Sequence, residues 1–358
     1  MKAFRSGMKL SELKPLVRVR RAVRSISRQW QKQKRSFKFP LMLTMGHFLA
    51  VLVSSNAFAA EVPSSSWSQL FPAISPTARS YLAMTYDAAS HKVIMFGGYD
   101  GGYLNDTWTF DGTTWTRVNT PTAPPGRANA QMAYDRLTHK VVLFGGYDGR
   151  HYLGDTWLWD GRASTWTQAF PTHSPRAVTG PMLFPDPNDH HVDEFGGFDG
   201  NFYQGSMWQW NGFDWILLNP AMVPYARSSA AVGVNTFANQ VVMFGGLGDV
   251  NPNNTWTYDG TTWTMQSPRT QPPLVYASSA IFDPNLRATV LFGGGSGGVD
   301  QNSTWGWTGF NWRQLVPTQS PGVREGAGIA YDVALGHAII FGGQDGNLLL
   351  NDTWEFTP

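Results

Sequence analysis

The chain has 358 residues, no cysteine, 38 glycines and 16 tryptophans, and only 15% of its residues are charged. The absence of cysteine excludes disulfide frameworks, thiol nucleophiles and cysteine-ligated zinc or iron–sulfur centres. Residues 1–59 hold 13 of the 27 basic residues, so the remainder has 14 basic and 24 acidic residues, a net charge of −10. Phosphate groups repel an acidic domain of this kind, which argues against nucleic acid as a partner.

The N-terminal segment has the composition of an export sequence. A long basic flank precedes an apolar run at residues 39–53, and small residues follow it up to Ala59 and Ala60. The apolar run is shorter than the roughly 20 residues that a membrane-spanning helix requires. We therefore predict that residues 1–59 are a signal peptide with an extended basic region. Cleavage would release residues 60–358, with no membrane span, as a secreted, periplasmic or cell-surface protein. An uncleaved membrane anchor is the alternative.

Residues 60–358 contain one unit repeated six times. The string Phe-Gly-Gly recurs every 48–51 residues, with its phenylalanine at positions 96, 144, 195, 244, 292 and 341. One tryptophan follows each string within a sequence similar to Asn-Asp-Thr-Trp, and a second lies 29 residues before each phenylalanine. Self-similarity at a fixed period of this length indicates a repeat architecture.

Each unit predicts four short strands. In the first unit they are strand A (79–87), strand B (92–98), strand C (106–111) and strand D (114–119). Short connections rich in Asp, Asn and Gly join A to B and C to D, as in β-hairpins. Longer loops join B to C and D to the next A. The sequence therefore predicts an all-β fold, a six-bladed β-propeller of four-stranded antiparallel blades.

The position of the first tryptophan predicts how the ring closes. The chain ends after strand C of the sixth unit, so that unit lacks its own strand D. Trp67 lies 29 residues before Phe96, at the position of a strand D tryptophan, although no complete unit precedes it. We expect residues 64–70 to complete the last blade, because closure removes free sheet edges.

The double glycine after an apolar strand, the paired aromatic residues and the repeat period resemble the kelch repeat over about residues 65–358. The resemblance implies a kelch-type propeller but no single activity, since one fold hosts unrelated functions. Some propellers that the chain resembles act on sugars, including a copper-dependent galactose oxidase and a periplasmic sialic acid mutarotase. The oxidase cofactor contains a tyrosine cross-linked to cysteine, and this chain has no cysteine.

The first candidate binding residues are arginines at the entry to strand A, which we expect at the mouth of the central channel. Four of them lie 17 residues before the repeat phenylalanine: Arg79, Arg127, Arg227 and Arg324. In kelch propellers, arginines at this entry often line the pocket that meets a partner, and the resemblance extends that role to these four. Their guanidinium groups would suit carboxylates or anionic sugars. Alternatively, each arginine pairs with an aspartate of an adjacent B–C loop and only stiffens the rim.

The second candidate set lies in the B–C loops of units one to three. Each loop has an aromatic residue beside an aspartate and a second aromatic residue further on, and unit six keeps only the aspartate. The set is Tyr99, Asp100, Tyr103, Tyr147, Asp148, Tyr152, Phe198, Asp199, Tyr203 and Asp345. Flat rings beside carboxylates often hold neutral sugars. Alternatively, the aromatic rings cover the backbone of their own loops.

Unit three carries two acidic residues where other B strands are apolar. Asp193 and Glu194 precede Phe195, and buried carboxylates at such positions are costly unless they have partners. They are either an acid–base pair with perturbed pKa values or ion-paired to His191 and Arg176.

These observations favour a binding protein over an enzyme. The leading hypothesis is an exported monomeric propeller that binds a glycan or a protein through its B–C and D–A loops, with no cofactor and no metal. One alternative is a cofactor-free sugar mutarotase or epimerase, because general acid–base chemistry requires only positioned carboxylates and arginines. The other is a purely structural surface protein.

Overall fold

The six repeats form six antiparallel sheets of four strands each in the computed structural model of the protein, which describes residues 65–358. Residues 65–358 contain no helix. These observations confirm the predicted all-β, six-bladed propeller. The predicted export segment, residues 1–59, lies outside the described residues.

The first half of the described chain contains one isolated strand and three complete blades. The chain begins with β1 (Ser66–Leu70). Blade one has β2 (Ala83–Asp87), β3 (Lys92–Phe96), β4 (Thr107–Phe110) and β5 (Trp115–Val118). Blade two has β6 (Gln131–Asp135), β7 (Lys140–Phe144), β8 (Thr156–Asp160) and β9 (Thr165–Ala169). Blade three has β10 (Met182–Pro185), β11 (Val192–Phe195), β12 (Met207–Trp210) and β13 (Trp215–Leu218).

The second half contains the remaining blades and two short hairpins within their B–C loops. Blade four has β14 (Ala231–Asn235), β15 (Gln240–Phe244), β16 (Thr255–Tyr258) and β17 (Trp263–Met265). Blade five has β18 (Ser279–Asp283), β19 (Ala288–Phe292), β22 (Thr304–Trp307) and β23 (Trp312–Leu315), with the hairpin β20 (Gly295–Ser296) and β21 (Val299–Asp300). Blade six has β24 (Gly328–Asp332), β25 (His337–Phe341) and β28 (Thr353–Thr357), with the hairpin β26 (Gln344–Asp345) and β27 (Leu348–Leu349).

The strands are shorter than the sequence predicts, for a conformational reason at each end. Strand B of blade one ends at Phe96 because Gly97 and Gly98 adopt φ angles of 65° and 102°. A Cβ atom on Gly97 would lie 2.7 Å from the backbone oxygen of Arg127 in the next blade, so only glycine fits there. Strand A begins at Ala83 rather than at residue 79, because Tyr81 adopts a left-handed conformation with φ of 54°.

The N-terminal strand completes blade six, as predicted. β1 pairs antiparallel with β28 over its full length, and Trp67 lies opposite Phe356. The Trp67 side chain is fully buried, with its ring centroid 4.9 Å from those of both Phe292 and Phe356. The two ends of the described chain therefore share one sheet, and the ring has no open seam.

The strand D tryptophans join each blade to the one before it. All six are at most 3% exposed: Trp67, Trp115, Trp166, Trp215, Trp263 and Trp312. In five of them, the indole nitrogen donates a hydrogen bond of 2.8–3.1 Å to the threonine hydroxyl that begins strand C of the preceding blade. Trp263 instead points its N–H at the Met207 sulfur, 3.4 Å away. The tryptophans therefore both fill the wedge between blades and fix its register.

Candidate functional site

A closed ring of six backbone hydrogen bonds surrounds the channel axis at the start of the A strands. Its residues stand 15 positions before each repeat phenylalanine: Tyr81, Asn129, Gly180, Ser229, Ala277 and Gly326. All six have φ angles of 48–62°, and each N–H donates to the carbonyl of its counterpart in the neighbouring blade at 2.7–2.9 Å. The ring constrains the inner rim of the loop face, the propeller end formed by the B–C and D–A loops. A cavity of about 540 Å³ lies along the channel between the A strands.

The candidate arginines lie inside the blades and do not face the channel mouth. Arg127 is 1% exposed, and its two terminal nitrogens donate to the two carboxylate oxygens of Asp155 at 2.7 and 2.8 Å. The same guanidinium donates to the carbonyl of Gly145 in the repeat glycine pair. The Trp157 indole also donates to Asp155, and the paired Arg127 and Trp157 lower the pKa of this carboxyl despite its burial. We call this three-residue arrangement the Arg–Asp–Trp latch.

The latch recurs in blades one and six, as Arg79 with Asp106 and Trp108, and as Arg324 with Asp352 and Trp354. This corresponds to the second of the two alternatives that the sequence leaves open. A pocket-lining role does not hold for side chains enclosed in this way, because their donors are already used inside the protein.

Blade four has an incomplete latch. Arg227 is fully buried and donates to Asn254, which replaces the aspartate, at 3.0 Å. One terminal nitrogen of Arg227 has no hydrogen-bond partner among the residues that the structure describes. Burial without a carboxylate lowers the pKa of Arg227 to about 10.

The predicted aromatic residues of blades one to three form one continuous row across the loop face, which we call the aromatic ribbon. Each ring centroid lies 5.0–6.0 Å from the next, in the order Tyr99, Tyr103, Tyr147, Tyr152, Phe198 and Tyr203. Tyr99 is 37% exposed and the other five rings are half-buried. The structure thus brings together six side chains that the sequence placed in three separate loops.

The polar groups of the ribbon are unequally occupied. Within residues 65–358, none of its five tyrosine hydroxyls has a hydrogen-bond partner among the other side chains or the backbone. The ribbon's aspartates accept hydrogen bonds from backbone N–H groups of their own loops: Asp100 from Gly102, Asp148 from Arg150 and His151, and Asp199 from Asn201 and Phe202. These bonds lower the pKa values of Asp148 and Asp199. The hydroxyls are therefore free for a ligand, while the carboxylates mainly shape the loops. Asp345 is exposed in the blade-six hairpin, away from these aromatic residues.

The two acidic residues of blade three are buried without the predicted ion pairs. His191 lies 3.6 Å from Asp135 and Arg176 lies 3.3 Å from Asp199, so neither partners Asp193 or Glu194. Asp193 accepts a hydrogen bond from Gln209, and burial together with Asp186 raises its pKa well above the usual value. Glu194 is 1% exposed, and both carboxylate oxygens lack partners in the described part of the chain. Burial alone raises its pKa.

Glu194 and Asp193 do not share a site. They are successive residues of β11, so their side chains point to opposite faces of the blade. This arrangement does not form an acid–base pair.

The sequence analysis missed a polar cluster on the opposite side of the loop face. Glu325 is 8% exposed and accepts hydrogen bonds from the Tyr81 hydroxyl at 2.6 Å and from Gln344 at 3.0 Å. It stands 16 residues before the repeat phenylalanine, where blades one to four have the small residues Ser80, Ala128, Thr179 and Ser228. This departure from a small-residue position was the available sequence signal, as was Tyr276 at the same position of blade five.

Comparisons with known proteins agree with this architecture. The family model described as the KLHDC2/KLHL20/DRC7 Kelch-repeats domain matches residues 50–215, which include the first two blades and the beginning of the last strand of the third. No curated protein sequence matches the chain significantly. Within residues 65–358, no helix is long and apolar enough to cross a bilayer. Because the matched repeat continues with the same strands and glycines through blade six, the chain belongs to the kelch-repeat β-propeller family.

Proposed function

We propose that the protein is a binding module whose loop face receives a segment of a protein partner along the aromatic ribbon. Kelch propellers typically serve as protein-interaction modules. The observation that carries the proposal is the ribbon itself, six adjoining rings with five free tyrosine hydroxyls. Tyrosine supplies apolar contact area and a polar tip at a small cost in conformational entropy, which suits peptide recognition.

A glycan is the second candidate ligand, and the aromatic rings also support it. Carbohydrate recognition through the ribbon would draw on its aspartates as hydrogen-bond acceptors. However, both Asp148 oxygens interact within their own loop, and the second Asp199 oxygen contacts Arg176 and Gln204. Because these acceptors are largely occupied, the geometry favours a protein partner over a sugar.

The enzymatic alternative has less support. A mutarotase or epimerase of the kind considered above would place arginines and carboxylates around one open space. The four arginines are instead enclosed in the blades, and the unpaired Glu194 is sealed between blade sheets. No observation in the described residues favours catalysis over binding.

We also propose that the protein works outside the cytoplasm, after removal of residues 1–59. The basic flank and the short apolar run support this proposal. Mass spectrometry of the protein recovered from its native host would show an N-terminus near Ala60. An intact Met1 form in the membrane fraction would contradict export with cleavage.

The binding proposal is tested by selecting peptides from a random display library with purified residues 60–358, and by probing a glycan array with the same sample. We expect selected peptides to bind Tyr147→Ala at least about tenfold more weakly than the wild type, which corresponds to about 1.4 kcal/mol. Tyr147 lies near the middle of the ribbon and contacts two neighbouring rings.

The control variant is Phe310→Ala, which removes a 77% exposed aromatic ring from a C–D hairpin at the opposite end of the propeller. It should bind like the wild type. An equal loss in both variants, or glycan binding without peptide binding, would contradict the proposed protein-binding ribbon. Binding to neither library would favour the structural alternative.

A further inference from the structure

Glu325 has an unsatisfied carboxylate oxygen at the inner rim of the loop face. Its Oε1 atom accepts hydrogen bonds from the Tyr81 hydroxyl and from Gln344 Nε2. Its Oε2 atom is buried and has no partner within residues 65–358. Leaving a buried charged acceptor without a donor costs more than the 1–3 kcal/mol of a neutral group, so the protein keeps this atom unpaired at a cost of stability.

The space around Oε2 exists because blade five lacks a side chain there. Gly295 occupies the loop position where blades one to three carry Tyr99, Tyr147 and Phe198. A Cβ atom built on Gly295 would overlap both Oε2 of Glu325 and the ring of Tyr276. The carboxylate oxygen and the aromatic ring therefore flank the same small space above the Gly295 backbone.

The charges around this space are negative. Asp300, the Cα partner of Gly295 in the short hairpin, lies close enough that burial, Glu325 and Asp300 together raise the pKa of the Tyr276 hydroxyl. Asp300 accepts a hydrogen bond from the Gly346 amide. None of the ion pairs found among residues 65–358 involves Glu325 or Asp300. The cluster therefore has acceptors and aromatic faces but no cation of its own.

We propose that this cluster, which we call the Glu325 pocket, binds the cationic side chain of a lysine or arginine. An ammonium or guanidinium group would donate to Oε2 of Glu325 and lie against the rings of Tyr276 and Tyr81. The inference rests on the proposed function in one respect: the natural source of the cation would be a basic residue of the protein partner. It adds that the partner has a basic residue beside the segment that contacts the aromatic ribbon.

The test uses single-residue probes, so it does not depend on the peptide selection. Binding of N-acetyl-arginine amide and N-acetyl-lysine amide is titrated by saturation-transfer NMR, with the uncharged citrulline analogue as the matched probe. We expect the cationic probes to bind at least about tenfold more tightly than citrulline, because charge-assisted hydrogen bonds contribute about 1.5–3 kcal/mol. Equal binding of the three probes would overturn the proposal.

Two variants locate the binding. Glu325→Gln removes the charge with little change of shape, and Gly295→Ala fills the space beside Oε2 without a backbone penalty, since Gly295 has no positive φ. Both should lose about tenfold or more of the preference for the cationic probes. The control Asp249→Asn removes an exposed carboxylate from the blade-four loop of the same face and should behave as the wild type.

The outcomes separate the two proposals. Probe binding that survives Glu325→Gln, or that is lost equally in Asp249→Asn, would overturn the Glu325 pocket whatever the peptide screen shows. Peptide binding through the ribbon with no preference for basic side chains would retain the proposed function and reject the pocket. Specific cation binding without any peptide binding would retain the pocket and reject a peptide ligand.

Discussion

Blades one, two and six differ from blades three, four and five in the way the start of strand A is held. The first three have complete latches, in which an arginine pairs with both oxygens of an aspartate that also accepts a tryptophan N–H. In blade three, Val178 and Ser206 occupy the arginine and aspartate positions, and in blade five Val275 and Ser303 do. Blade four keeps the arginine but has asparagine.

The difference teaches that the arginine and its acid form one structural unit. Where the arginine is absent the aspartate is absent too, because either charge alone would be buried without a counter-charge. The repeated arginines are therefore framework residues. Side chains that differ between blades, such as the aromatic ribbon on one side and Glu325 on the other, are the better candidates for recognition.

The largest expected effect comes from breaking a complete latch. Arg127→Ala leaves Asp155 partly buried without its counter-charge and removes hydrogen bonds to Gly145 and to the loop. We expect the free energy of unfolding to fall by about 3–5 kcal/mol, the usual cost of removing one partner of a buried ion pair. Denaturant unfolding followed by tryptophan fluorescence measures this change.

Arg176→Ala is the matched control, since this arginine is 73% exposed and its contact with Asp199 is a surface ion pair. Its loss should change the free energy of unfolding by less than about 1 kcal/mol. If Arg127→Ala were as mild as Arg176→Ala, the latch would not be the structural unit described above.

The repeat pattern made the fold predictable, while side-chain pairing was less so. The constant 29-residue offset of Trp67 predicted closure by the N-terminal strand, because packing between blades requires the same residue at the same place. The left-handed Tyr81 was not predictable, since a bulky residue avoids positive φ unless neighbouring backbones impose it. The sequence left two roles open for the arginines, because spacing cannot show which acid a flexible guanidinium reaches.

A stabilising change of intermediate size is expected in blade three. Glu194 occupies the place of Met95 in blade one, so Glu194→Met replaces an unpaired buried carboxyl by the apolar residue that fits a blade interface. We expect the free energy of unfolding to rise by about 1–3 kcal/mol at neutral pH. Thermal and denaturant unfolding of both proteins measure the gain.

The pH dependence identifies the cause of that gain. Burial raises the pKa of Glu194 above its ordinary value of 4.5, so the folded state holds a proton that the unfolded state has released. The resulting contribution to stability is complete below pH 4.5 and is lost as the pH rises through the folded-state pKa. The advantage of Glu194→Met should therefore grow from pH 4 to pH 8. An advantage that is constant with pH would show that improved packing, and not the carboxyl, is responsible.

The smallest effect is expected from completing the latch of blade four. Asn254→Asp supplies a second acceptor oxygen for the Arg227 nitrogen that has no partner in the described residues, while Trp256 can still donate to the same side chain. We expect a gain of about 1 kcal/mol in the free energy of unfolding, the net value of one added hydrogen bond. The matched variant is Asp155→Asn, which gives blade two the asparagine of blade four and should lose a similar amount. Opposite changes in the two blades would show that the three complete latches and the incomplete one differ by this oxygen alone. A loss of stability in Asn254→Asp would instead mean that the asparagine amide makes a contact in blade four that an aspartate cannot replace.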